Sequence, residues 1–242
     1  MDIERFYSEL KEQKIRREKE IVLLNNLLEI DYQQIQVKKI EQDEYKNSIK
    51  RSNICLMYAH IEGFVKFSFI HYITAINQLK LHCQDVIPIL RAAMYFEDFL
   101  KLTNPDRKSQ IFKKSFPFDA HLHRLYRQEE FFERITAHLS AKVEIKDKYI
   151  NTESNVGREV LEKLLYQIGL PHNCLSAVTG TLSKLKNKRN DISHGTDMSI
   201  INDKDYEDYT KCTLDVMKRI TEVILDAYQN QKYLCKEVQE TE

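Results

Sequence analysis

Apolar residues return every three or four positions along most of this chain. Ile3, Phe6 and Leu10 open a stripe that Ile21, Leu24 and Leu28 resume. That spacing predicts one long helix from Asp2 to about Ile40. The run Lys11 to Glu20 between them mixes both signs of charge and reads as a solvated helix face. A second stripe, Ile54, Met57, Ile61, Val65, Phe69, Tyr72, Ile76 and Leu79, predicts a helix over about Glu44 to Leu81. Two such helices joined by a short polar link should pack as an antiparallel hairpin.

The middle of the chain is less regular. Ile87 to Leu100 predicts one helix, Phe131 to Leu139 another, and Val143 to Asn151 a loop or short strand. Between them Pro105, Pro117, aromatics and basic residues break the pattern, so 101–151 reads as an insertion within one domain spanning 1–242. Periodicity resumes with Val160, Leu161, Leu164, Leu165 and Ile168, with Ser154 or Asn155 as the starting cap and Gly169 as the stop. Pro171 should open the next helix, with the stripe Leu175, Val178, Leu182 and Leu185, ending near Gly195. Asn202 or Asp203 should cap the last, whose stripe runs from Tyr206 to Tyr228; the tail from about Lys236 should fray. The fold class is all-α: a bundle of long antiparallel helices with a mid-chain insertion.

Composition sharpens this picture. Only 5 Gly and 4 Pro in 242 residues argue against a turn-rich β-fold. The formal net charge is zero, so nucleic-acid binding would have to come from local patches. The 5 cysteines show no Cys-x-x-Cys spacing and read as free thiols of a reducing cytoplasm. The acidic start Met1-Asp2-Ile3-Glu4 does not resemble a signal peptide, and no apolar run is long enough to span a membrane. The expected location is the cytoplasm.

The chemistry concentrates in Arg189-Asn190-Asp191-Ile192-Ser193-His194-Gly195. One reading is a helix stop: Gly195 takes the left-handed position, and the basic residues suit the negative end of the helix dipole. Two features strain it. Asn190 is a poor helix former in a place where capping does not require it. It also lies four residues before His194, on nearly one face with Lys186, where its amide would be able to orient the imidazole. Arg189 is about 140° from His194 on an ideal helix, so the two share a site only if the side chain bends round or the helix unwinds.

These residues resemble the Arg-Asn-x-x-x-His-Gly form of the HEPN superfamily motif. The wider chain is similar to the MAE-type HEPN-like nucleases, through Phe6-Tyr7-x-x-Leu10, the helix around Leu56-Met57-Tyr58-Ala59-His60-Ile61-Glu62-Gly63, and Ser154-Asn155 ahead of a helix ending in Ile168-Gly169-Leu170. The resemblance implies a metal-independent endoribonuclease, of the toxin or defence type, in which the RNA 2′-hydroxyl attacks the adjacent phosphate. It assigns Arg189, His194 and Asn190 to the catalytic site. It implies a homodimer that brings two motifs to one groove, and an antitoxin or other regulatory protein as partner. Glu62 falls where such proteins place a polar residue bordering the site, although an i, i+4 pair with Lys66 explains it too.

The segment from Lys101 to Arg127 carries seven basic residues against two acidic, with Phe112, Phe116, Phe118 and Tyr126 interleaved. Arg107, Lys108, Lys113 and Lys114, with Lys186 and Lys188 near the motif, are therefore the expected RNA-binding residues. The competing reading leaves the charges solvated and the aromatics as anchors. His121-x-His123 lacks further ligands at metal-binding spacing, so no metal and no other cofactor is expected. The alternative function is a catalytically silent HEPN-like module that binds RNA, a nucleotide or a protein; a purely structural helical dimer is a third.

Overall fold

The second helix is the spine of the molecule, and its sequence explains why. In the computed structural model, which describes residues 2–29, 39–138 and 141–235, it is α2 (Lys39–Gln78). Its buried side chains do not keep to the single expected stripe. Tyr58, Phe64, Ser68, His71, Ile73 and Ala75 are buried as well. A helix buried on more than one side must have neighbours on more than one side. Three helices supply them: α1 (Ile3–Asn26), α7 (Ser176–Ser193) and α8 (Asp203–Gln229).

The side-chain pairings fix their directions. Along α1, Phe6 stacks on His71 with ring centroids 4.6 Å apart, Arg17 lies over Phe64, and Asn53 donates to the Leu24 carbonyl. This pair is antiparallel, as the hairpin expectation required. Along α8, Lys50 pairs with Asp203, Asn53 donates to Tyr206, and the Thr210 hydroxyl reaches the Met57 sulfur, so α8 runs parallel to α2. Along α7, Ser193 lies beside Cys55 and Arg189 beside Tyr58, so α7 runs antiparallel to it.

Several boundaries differ from the periodicity reading. The first helix ends at Asn26, followed by a 3-10 turn over Leu27–Glu29; the remaining part of that expectation, 30–38, lies outside the described residues. Ile87 to Leu100 forms two helices, α3 (Pro88–Met94) and α4 (Phe96–Thr103), because the backbone leaves helical geometry at Tyr95, whose ring is buried. The next helix, α5 (Ala120–His138), starts well before Phe131. Asp119 caps it by accepting from the Leu122 backbone N–H, a start signal just after Pro117. Helices α4 and α5 pack together through Phe99 on Phe131 and the Arg134–Asp98 ion pair.

No strand forms among the described residues. Val143 to Asn151 is extended chain and a 3-10 turn, with the Asn77 amide bonding both N–H and C=O of Ile145 in place of a neighbouring strand. The helix α6 (Arg158–Gln167) has Gly157, not Ser154 or Asn155, at its N-cap. The turn before it puts Glu153 and Ser154 at φ 55° and 51°, so Ser154 lacks the extended backbone of a cap, and Asn155 stands two residues before Gly157, where the helix starts. Gly169 does end α6, at φ 80°. Pro171 precedes a turn rather than opening a helix, and α7 begins at Ser176. Asn202 caps α8 by accepting from the Asp205 N–H. The five cysteines are free. No helix among the described residues is long and apolar enough to cross a membrane. The tail from Lys236 lies outside the described residues.

Candidate active site at the end of α7

Helix α7 stays helical through Ser193 and then stops on a glycine. Gly195 has φ 69°, its N–H bonds the Ile192 carbonyl, and the Thr196 N–H bonds the Asp191 carbonyl. This is the Schellman arrangement, which satisfies carbonyls that the helix end leaves open. His194 is the C-cap and is exposed. The helix-stop account of Gly195 is thus correct, and it leaves Arg189 unexplained.

Arg189 turns inward, onto α2. Its Cζ lies 3.9 Å from the centroid of the Tyr58 ring. Its Nε and Nη2 are shut away from solvent without a hydrogen-bond partner among the described residues, and no described carboxylate pairs with it. A cation removed from water normally acquires a counter-charge. Here it has an aromatic face instead.

Tyr58 is 2% exposed, and its hydroxyl donates to the Val156 carbonyl at 3.0 Å. Burial raises the hydroxyl above the usual tyrosine range; the Arg189 guanidinium opposes that rise by hydrogen bonding and by its charge, and the nearby Glu62 carboxylate adds to it. Glu62 is one turn further along α2, half-buried, and accepts from the Thr152 hydroxyl at 3.5 Å. It therefore reaches the same segment that receives the Tyr58 hydroxyl. The segment 152–157 is thus held against α2 by Tyr58 and Glu62.

Lys186, one turn before Arg189, lies against Gly157. A Cβ at 157 would sit 3.2 Å from both its Cδ and its Nζ, so glycine leaves the lysine its place. Lys186 has no ion-pair partner among the described residues. It also lines a cleft of about 350 Å³ with Ser183, Asn155 and Gly157. Lys188 is occupied differently: it pairs with Asp197 and donates to Ser199, which holds the loop after the motif. That lysine holds the Asp197 carboxyl well below its ordinary range.

The remaining expected residues divide. Arg189 rests on Tyr58, to which periodicity gave no role, while Glu62 and Lys186 each contact the segment 152–157 that receives the Tyr58 hydroxyl. His194 and Asn190 stand at the helix end. The Asn190 side chain makes no hydrogen bond to the His194 ring, and Arg189 and His194 share no hydrogen bond or ring contact within one chain. In the mid-chain segment, Arg107 is paired with Glu130 and Arg127 is buried against the Leu102 and Arg107 carbonyls. Lys108, Lys113 and Lys114 are exposed. Lys108 donates to the Pro117 carbonyl with its Nζ 5.6 Å from the centroid of the Phe118 ring, which is 93% exposed. His123 turns inward, and its Nδ1 accepts from the Ser109 N–H.

A family model described as MAE_28990-like HEPN matches residues 6–233. Neither a curated protein nor a solved structure matches the chain.

Proposed function

This chain belongs to the MAE_28990-like HEPN family, and on that premise we propose that it is a metal-independent endoribonuclease completed by a second copy of itself. The observation that carries the proposal is Arg189: a guanidinium with Nε and Nη2 withdrawn from water, resting on an aromatic ring and left without a counter-charge among the described residues. Such a group is a partner for an anion, and its Nη1, which is not shut away, would donate to an oxygen of the phosphorane.

The proposed reaction balances on two histidines. One His194 takes the proton of the ribose 2′-hydroxyl as its oxygen attacks the phosphorus. The P–O5′ bond breaks, and a second His194 gives a proton to the leaving oxygen. The products are a 2′,3′-cyclic phosphate and a 5′-hydroxyl. One imidazole cannot readily do both jobs in a single pass, so the proposal needs the second copy. Exposed apolar side chains next to the motif support this: Met198 is 75% and Ile200 82% exposed. Lys186 and the exposed Lys108, Lys113 and Lys114 would hold flanking phosphates. Unrestrained RNA cleavage harms its own cell, so a regulatory or antitoxin-type protein partner completes the proposal.

One observation favours a binding module instead. His194 has no orienting hydrogen bond among the described residues, which suits a site that holds RNA or a nucleotide without cutting it. Purified wild-type and His194→Ala proteins incubated with RNA in EDTA decide between the two. The nuclease proposal expects cleavage by the wild type, unaffected by EDTA, with cyclic-phosphate ends, and none by the variant. Binding without cleavage, or products ending in a 3′-hydroxyl, would sink it.

A further inference from the structure

A functional guanidinium presents a physical conflict. It must be held still, and its charge must stay available. Pairing it with a carboxylate achieves the first and cancels the second. Glu62 is near enough to act on Tyr58, yet forms no ion pair with Arg189. We infer that Tyr58 is the positioning residue for Arg189, its ring face fixing the guanidinium while leaving the positive charge for a phosphate. For the identity of that anion the inference rests on the nuclease reading above; for the holding of Arg189 it does not.

Four observations converge on Tyr58. Its ring lies beneath the guanidinium at 3.9 Å, within cation–π range. The ring is fixed at both ends, by the backbone of α2 and by the hydroxyl bond to the Val156 carbonyl. Burial leaves it little room to move. The segment that receives the hydroxyl also carries Gly157, against which Lys186 rests. One tyrosine therefore sets the position of Arg189 and ties it to the segment that places Lys186. A merely space-filling core residue would need neither the face-on geometry nor the hydroxyl bond.

The test is a double-mutant cycle in the His194→Ala background, where cleavage plays no part. The probe is a short fluorescein-labelled single-stranded oligonucleotide with 2′-O-methyl sugars, read by anisotropy. Tyr58→Leu should weaken binding by about tenfold, the scale of a largely desolvated cation–π contact. Arg189→Ala should weaken it comparably, and the double variant should bind no worse than Arg189→Ala alone. Tyr58→Phe, which keeps the ring but loses the hydroxyl that fixes it, should lose a smaller part of the binding, between the parent and Tyr58→Leu. Losses that multiply in the double variant overturn the inference. So does Tyr58→Phe falling as far as Tyr58→Leu, since the hydroxyl and not the ring would then matter.

A second measurement needs neither ligand nor a folded leucine variant. In proton–nitrogen spectra, the Arg189 Nε–H should be protected from exchange and shifted upfield by the ring beneath it. An Nε–H exchanging like that of a surface arginine overturns the inference. A parent protein that does not bind the probe counts against the nuclease reading, and the spectra still decide the role of Tyr58. In active protein, Tyr58→Leu should lower kcat more than it raises KM and leave the pH profile of cleavage unchanged. A loss confined to thermal stability would mark Tyr58 as core and nothing more.

Discussion

At the scale of single residues, the site separates what a motif can announce from what only packing can. Arg189 and His194 were visible as letters at a spacing. Tyr58 was not, because in sequence it is one more aromatic beside a core stripe, and only the face-on contact with Arg189 gives it chemistry. The two motif residues should also respond differently to conservative change. Arg189→Ala and His194→Ala should each lower cleavage by at least about 10²-fold, the usual scale for losing a transition-state donor or a general acid–base. Arg189→Lys should not recover the loss, because a point charge lacks the planar group that rests on Tyr58. Initial rates on a defined RNA, with Tm recorded for each variant, check this; full activity in Arg189→Lys would refute the stacked-guanidinium account.

At the scale of elements, long helices were legible and their punctuation was less so. Periodicity located α1, α2, α6, α7 and α8, since each buries a continuous face. It missed the break at Tyr95 and the early start of α5, because local capping by Asp119 outweighs a weak apolar pattern. Ser154 failed as a cap for a backbone reason, the left-handed turn at Glu153 and Ser154, and Asn155 because the helix starts only after Gly157. The stop at Gly195 gives a clean prediction. A Cβ there would meet nothing within 4 Å, so Gly195→Ala should cost only the left-handed backbone penalty, about 1 kcal/mol. Denaturant unfolding measures it, and an unchanged midpoint would contradict the Schellman geometry. In the segment before α5, replacing Lys108, Lys113 and Lys114 together should weaken binding of single-stranded RNA. It should also reduce the slope of log K against log salt by about 0.7 for each phosphate no longer neutralised. An unchanged slope would mean these lysines are simply solvated; Arg107, already paired with Glu130, should matter little to that slope.

At the scale of the whole molecule, the bundle was foreseeable and its central helix was not. A single stripe on α2 suggested one buried side, whereas residues between the stripes are buried against three neighbours. The proposed second copy belongs to this scale. Light scattering at micromolar concentration should give twice the mass of the chain. A dimer of one wild-type and one His194→Ala chain should cleave far below half as fast as the wild-type dimer, since the one shared groove would lack one of its two proton carriers. A monomer that cleaves RNA at full rate would rule out the shared site. Replacing exposed Met198 and Ile200 by serine should weaken association with little effect on the fold, because neither is part of the core.

The stop at Gly195 also gives the motif's spacing a meaning that is angular rather than linear. With α7 intact through Ser193, Arg189 is clamped on Tyr58 at one azimuth and His194 leaves the helix at another, about 140° further round. The interval between them therefore works as a phase. Inserting one residue there would turn His194 by about 100° while Arg189 stayed on its ring, whereas inserting a whole turn would nearly restore the angle and shift the histidine along the axis instead.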